Sequence, residues 1–84
     1  MFGENVIVRE FGGKPVVCKV WEVDRNRVYV CTEETFRKLK GLNGKPFPAN
    51  CFPVAFPRKD VFRYNSRVDL KSPAIWDKLI AYEN

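Results

Sequence analysis

The chain has 84 residues and a mass of 9.8 kDa, which suits one compact domain and leaves too little for a second independent core. Hydrophobic residues make up 45% and charged residues 30%, a balance that excludes a disordered tail. Fifteen Lys and Arg residues against ten Asp and Glu residues give a formal net charge of +5, and the chain contains no histidine.

The first third of the chain predicts an antiparallel meander of three strands. A strand rich in Val and Ile at 5–11 is followed by two glycines at 12–13, which suit a two-residue hairpin turn. A second strand is predicted at 15–23, and a polar turn at 24–26 leads into a third strand at 27–31. The second strand is apolar on both faces through its middle, which is typical of a curled sheet with both faces covered.

A short helix is predicted after the third strand, near residues 33–40. Thr32 suits its N-cap, the glutamates of the first turn and the lysines of the last turn match the helix dipole, and Gly41 suits a left-handed residue that ends it. Phe36 and Leu39 form its apolar stripe. Because eight residues are marginal as an isolated helix, we expect this element to pack against the sheet.

Prolines dominate the next segment, since four of them fall within residues 43–57. Proline cannot donate to a strand ladder and pushes its predecessor toward extended backbone. We therefore predict an extended loop whose phenylalanines anchor it in the core, with a short strand at 54–56. A tight turn and a last strand are expected over 58–64.

The C-terminal segment predicts a helix after a polar connector at 65–71. Ser72 suits the N-cap and Pro73 the first helical position. The apolar side of this helix consists of Ile75, Trp76, Leu79, Ile80 and Tyr82. Such a face either covers the sheet or docks on a partner or a second copy, so both a monomer and a homodimer remain open.

These elements predict an α+β fold in a single domain over residues 1–84. Its core, residues 1–64, is a curled antiparallel sheet of four to five short strands with one inserted short helix, and residues 65–84 add the connector and the C-terminal helix. A sheet of this kind can close as an SH3-like small barrel. That comparison concerns architecture alone, because no family motif accompanies it.

No complete catalytic or metal-binding set is visible in the sequence. The absence of histidine excludes Ser-His and Cys-His dyads and His-ligated zinc. Cys18, Cys31 and Cys51 include no CxxC pair and no fourth thiol, so with no histidine they lack the usual ligand set of a structural zinc site, and we expect them to be buried thiols. Glu22 and Asp24 form a carboxylate pair of the kind that holds Mg²⁺, although Asp24 is more simply a turn residue. We expect a non-enzymatic protein with no metal ion and no cofactor.

Positive charge is concentrated in the segment from Thr35 to Arg67. This segment carries eight basic residues against one acid, Asp60, for a net charge of +7, while the other 51 residues carry a net charge of −2. The basic residues of this segment are Arg37, Lys38, Lys40, Lys45, Arg58, Lys59, Arg63 and Arg67. We take them as the candidate partner-binding residues.

A basic segment of this kind predicts a binding module with an acidic partner, which we take to be a protein surface or a peptide. The alternative partner is nucleic acid, because half of the twelve aromatic residues lie in the same segment and rings can stack on bases. Phe62 and Tyr64 are the candidates for that stacking. No signal peptide and no apolar run of about 20 residues is visible, so we expect a cytoplasmic location and no membrane partner.

Overall fold

A computed structural model describes residues 2–9, 14–64, 71 and 75–82 of the chain. The strands are β1 (Asn5–Arg9), β2 (Pro15–Val23), β3 (Arg27–Cys31), β4 (Val54–Pro57) and β5 (Val61–Arg63). The helices are α1 (Glu33–Lys40), a 3-10 turn (Arg58–Asp60) and α2 (Ile75–Lys78). The predicted glycine turn at 12–13, the basic residue Arg67 and the predicted helix start at Ser72 and Pro73 lie outside the described residues.

The five strands form one antiparallel sheet in the order β4-β3-β2-β1-β5. β1 pairs with both β2 and β5, and β3 pairs with both β2 and β4. β4 and β5 are the outermost of these five strands, and no pairing joins them within the described residues. The antiparallel sheet and the α+β class agree with the sequence prediction, whereas closure as an SH3-like barrel is not confirmed.

One face of the sheet carries the main core. Facing positions of paired strands share a face, so the β-branched residues of neighbouring strands stack above one another. The buried residues of this cluster are Val6, Val8, Cys18, Val20, Val28, Val30, Val61 and Tyr82. Each fully buried Val contributes about 1.5–3 kcal/mol relative to an exposed one, which makes this cluster the principal source of stability.

Helix α1 covers part of the opposite face. Phe36 and Leu39 are buried there together with Cys31 of β3, as the apolar stripe of the helix predicts. The N-cap is also as predicted, because the side-chain oxygen of Thr32 accepts a hydrogen bond of 3.2 Å from the backbone N–H of Thr35. The helix is therefore held by its cap at one end and by its packing on the sheet along its length.

The chain turns after α1 at a different residue from the predicted one. Gly41 keeps right-handed backbone with φ −73°, whereas Asn43 and Gly44 take the left-handed region with φ 51° and φ 86°. Asn and Gly are the residues that enter this region most easily. The reversal therefore comes two residues later than expected, and Lys45 follows it directly.

The pairing of β2 with β3 contains a β-bulge at Trp21. Val20 pairs with Val30, but the next pair is Glu22 with Tyr29, so the register shifts by one residue. A bulge of this kind sets two residues against one on the partner strand and interrupts the alternation of side chains between the two faces. Trp21 and Glu22 are therefore not forced onto opposite faces of the sheet.

The end of the described chain extends the sheet beyond β5. The backbone N–H of Tyr82 donates to the carbonyl of Val61 at 2.6 Å, and that of Arg63 donates to the carbonyl of Ile80 at 3.0 Å. Ala81 forms an antiparallel bridge with Phe62. The predicted C-terminal helix is not confirmed, since α2 is one turn long and the chain after it pairs with β5 as extended backbone. No helix in the described part of the chain has the length and hydrophobicity needed to cross a bilayer.

Arg58 connects two parts of the molecule that are far apart in sequence. Its Nη1 donates to the carbonyl of Asp24 in the β2–β3 turn at 2.7 Å, and its Nε donates to the carbonyl of Tyr82 at 2.9 Å. The guanidinium also lies 5.7 Å from the centre of the Tyr82 ring. This side chain therefore joins the β2–β3 turn to the C-terminal segment.

Candidate functional site

Two of the predicted partner-binding residues are engaged within the protein. Arg58 makes the two backbone hydrogen bonds described above. The guanidinium of Arg63 lies 3.4 Å from a carboxylate oxygen of Glu4 and 4.5 Å from the centre of the Tyr82 ring. The structure thus gives both arginines an internal role that their place in a basic segment does not reveal.

Two more of these residues form ion pairs along α1. Arg37 lies 3.2 Å from Glu33 and Lys38 lies 3.3 Å from Glu34, both at i,i+4 spacing on the exposed side of the helix. Exposed pairs of this type contribute little stability, but they reduce the local positive charge. Lys59 is exposed on the 3-10 turn, far along the chain from this helix.

Lys40 and Lys45 are brought together at an open cleft of about 480 Å³. Lys40 is the last residue of α1, and Lys45 follows the left-handed pair that reverses the chain. Phe2, Trp21 and Phe47 provide the apolar walls of this cleft. We call it the lysine cleft, defined by these five residues. Within the described residues, no Asp or Glu lines it.

The aromatic walls of the lysine cleft are fixed around Trp21. The ring of Phe2 lies 5.2 Å from that of Trp21 at an angle of 78°, and the ring of Phe47 lies 6.0 Å from it at 75°. Edge-to-face pairs of this kind are favourable beyond the area they bury. Phe2 and Phe47 nevertheless remain 56% and 48% exposed, so they present apolar surface to solvent.

A second cavity of about 440 Å³ lies on the other side of the Trp21–Phe47 pair. It is lined in addition by Glu22, Tyr29 and Phe52. We call it the ring cavity, defined by these five residues. Trp21 and Glu22 both line it although they are consecutive in a strand, which is the outcome of the β-bulge described above.

The proline-rich loop does not bury its phenylalanines as the sequence predicts. Phe47 is 48% exposed and Phe52 is 53% exposed, whereas Phe56 on β4 is half-buried. A sequence of Phe-Pro dipeptides predicts extended backbone but does not determine which way the rings face. The only sequence feature that marks these rings as surface residues is their place in a segment without regular structure before β4.

The predicted stacking and docking residues have different environments. Phe62 is 4% exposed and packs 5.1 Å from the ring of Trp76, so its burial does not fit a role in stacking on bases. Tyr64 is exposed. In the C-terminal segment Ile75 is buried, Trp76 and Leu79 are half-buried, and Ile80 is exposed. The apolar side of this segment therefore mainly covers the sheet.

The titratable groups with altered pKa values are Glu4, Tyr82 and Cys31. Burial raises the pKa of Glu4. Hydrogen bonds, including one of 3.0 Å that the Tyr82 hydroxyl donates, and nearby positive charge lower this pKa by more, so it lies below its ordinary 4.5. Burial and the neighbouring Glu4 carboxylate raise the pKa of Tyr82. Burial and the Cys51 thiol raise the pKa of Cys31, which keeps it protonated and weakly nucleophilic. In the described part of the chain, no three His, Cys, Asp or Glu side chains cluster as metal ligands do.

Comparisons of the chain with protein-family models, with curated protein sequences and with solved structures find no match.

Proposed function

We propose that this protein is a non-enzymatic binding module that takes an acidic peptide or protein segment into the lysine cleft. The observation that carries the proposal is the placement of Lys40 and Lys45 beside the exposed rings of Phe2 and Phe47. Apolar walls with a few charged groups at their edge are typical of peptide-binding grooves.

The chemistry of the occupant follows from charge complementarity. Two lysines and no described acid line the cleft, so a segment that carries Asp or Glu beside an apolar side chain fits it best. The apolar side chain would fill the space between Phe2, Trp21 and Phe47. The carboxylates would meet the two ammonium groups, which steers association more than it adds affinity.

Nucleic acid is less well supported by the same geometry. Of the two residues predicted to stack on bases, Phe62 is buried. Arg58 and Arg63 are committed to internal contacts, which removes them from a continuous track of cations along a phosphate backbone. Binding to nucleic acid is therefore an outcome that the experiment below must exclude.

We also propose that the sheet is curled as in an SH3-like barrel. The return of β5 to the side of β1 and the two hydrogen bonds of Arg58 support a sheet curled in the manner of an SH3-like barrel. A cytoplasmic location and a single domain that acts as a monomer or a homodimer remain predictions from the sequence.

The test is a titration with a short peptide of alternating Glu and Phe residues, compared with the same peptide carrying Gln in place of Glu. Binding is followed by the indole N–H resonance of Trp21 in a two-dimensional NMR spectrum. We expect the acidic peptide to bind more tightly than its neutral counterpart. The double variant Lys40→Gln/Lys45→Gln should lose about two- to fivefold in affinity for each lysine, as exposed charge pairs do.

The matched control is Lys14→Gln/Lys59→Gln, which has the same net charge but changes two exposed lysines outside the cleft. We expect it to bind the acidic peptide like the unmodified protein. Equal binding of the acidic and neutral peptides would overturn the proposal. So would tighter binding of a single-stranded oligonucleotide of about ten nucleotides, with a salt dependence of about −0.7 per phosphate contacted.

A further inference from the structure

The ring cavity differs in chemistry from the lysine cleft although the two share Trp21 and Phe47. Tyr29 and Phe52 add two more rings, and Glu22 adds a carboxylate. Within the described residues, no Lys or Arg lines this cavity, in a chain that has fifteen of them. In this cavity, no described lysine or arginine could pair with the carboxylates of the proposed acidic segment.

The arrangement of the rings has the features of a site for a cation. The planes of Trp21 and Phe47 meet at 75° with their centres 6.0 Å apart, so they form two walls nearly at right angles. Tyr29 comes from β3 and Phe52 from the proline-rich loop, so the rings line the open space from three parts of the chain. The faces of aromatic rings attract positive charge, Trp and Tyr strongly among them.

Glu22 adds the negative charge that such a site needs. It is paired with Tyr29 across the sheet, and the β-bulge places it at the same cavity as Trp21. A carboxylate at the edge of a ring-lined cavity favours a cation electrostatically, while the rings favour a cation whose surface is apolar. An ammonium group that carries methyl groups has both properties, whereas a plain ammonium group is strongly hydrated.

We propose that the ring cavity binds a methylated ammonium group, such as that of choline or of a methylated lysine side chain, against Trp21, Tyr29, Phe47 and Phe52 with Glu22 as the counter-charge. Both sources present the same chemistry to the cavity. The site is distinct in charge from the lysine cleft and does not depend on what that cleft binds.

The experiment titrates the full chain with tetramethylammonium chloride and follows the indole N–H resonances of its two tryptophans. We expect the Trp21 signal to shift with a dissociation constant on the order of 1 mM, as suits so small a ligand. Trp76 packs on Phe62 away from this cavity, so its signal is the internal control and should not move.

Two pairs of ligands separate the contributions of charge and methylation. Choline should bind more tightly than 3,3-dimethyl-1-butanol, which has the same shape without the charge. A peptide with trimethylated lysine should bind more tightly than the same peptide with unmodified lysine. A trimethyllysine peptide that binds better than choline identifies a protein source for the group, and equal binding identifies a small molecule; both results support the site.

Variants tie the binding to the cavity. Phe52→Leu and Glu22→Gln change exposed residues, so the fold should survive, and each should weaken tetramethylammonium binding about fivefold or more. Lys40→Gln/Lys45→Gln should leave this binding unchanged. Conversely, Glu22→Gln should leave binding of the acidic peptide unchanged, so the two proposals can fail separately.

Three results would overturn the inference. The first is the absence of a Trp21 shift with tetramethylammonium at tens of millimolar. The second is equal binding of choline and its neutral isostere, which would make the cavity merely apolar. The third is equal binding of methylated and unmodified lysine peptides, which would show that the rings do not select methyl groups and that binding depends on the charge of Glu22 alone.

Discussion

Trp21 is the residue on which both proposed sites depend, because its ring forms a wall of each cavity. In the sequence it is one apolar residue among several in the second strand, and nothing marks it as different from Val17 or Val23. Its role comes from three contacts made by distant parts of the chain, with Phe2, Phe36 and Phe47. Sequence patterns predict on which face of a strand a side chain lies, but they do not predict that distant rings meet around it.

Glu4 ties the beginning of the described chain to its end. Its carboxylate accepts a hydrogen bond of 3.0 Å from the Tyr82 hydroxyl and lies 3.4 Å from the Arg63 guanidinium. Glu4 therefore has a lower pKa in the folded protein than in the unfolded chain. At acidic pH the unfolded chain binds more protons, so the stability that Glu4 contributes is present above 4.5 and is lost as the pH falls through its folded pKa.

We predict that Glu4→Gln lowers the free energy of unfolding by about 1 kcal/mol at neutral pH, since a partly exposed charged hydrogen bond is weakened. The difference from the unmodified protein should be smaller at an acidic pH below the folded pKa of Glu4, where the carboxyl is protonated in both states. Urea unfolding at both pH values measures it. A difference that stays constant with pH would show that the charge of Glu4 has no part in stability.

At the scale of elements, the sequence predicts best where the controlling signals are local. β2, β3 and α1 have the predicted bounds, because turn residues and helix caps act over a few positions. The predicted C-terminal helix is not confirmed beyond Ile75–Lys78, and here the controlling contacts are long-range. The backbone of 80–82 makes its hydrogen bonds with β5. The hydrophobic periodicity of a segment does not reveal such a distant partner.

The N-cap of α1 gives a prediction at this scale. Thr32→Ala removes the side-chain acceptor for the Thr35 N–H and should lower the free energy of unfolding by about 1 kcal/mol, measured by urea unfolding. Thr32→Ser keeps the hydroxyl and is the control, with a much smaller loss expected. Equal losses in the two variants would assign the effect to the methyl group of threonine instead of the cap.

At the scale of the whole molecule, the described residues of the basic segment have different environments. Two of its arginines contact groups far away in the sequence, since Arg63 lies beside Glu4 and Arg58 donates to the carbonyl of Asp24. Lys40 and Lys45 line the same cleft. The sequence therefore predicts the composition of the site in part, but the fold decides which charges remain available, because internal contacts engage Arg58 and Arg63 and ion pairs within α1 engage Arg37 and Lys38.

Substitution of Arg58 tests whether its contacts within the protein contribute to stability. Arg58→Gln removes the charged donor to the carbonyls of Asp24 and Tyr82, and we predict a loss of about 2 kcal/mol in the free energy of unfolding. Lys59→Gln, the exposed neighbour, should change stability by less than about 0.5 kcal/mol. Thermal unfolding of both variants is the measurement, and similar melting temperatures would contradict the role assigned to Arg58.

The β-bulge at Trp21 has a consequence for how such a site arises and disappears. The ring and the carboxylate meet because the chain holds one residue more than regular pairing of β2 with β3 needs. Loss of the codon for Trp21 or for Glu22 would restore regular alternation and leave either the carboxylate or the ring at this position, while the valine core kept its composition. The proposed cation site is thus encoded by chain length as well as by residue type. Related chains would gain or lose it in one step of insertion or deletion, without passing through point substitutions.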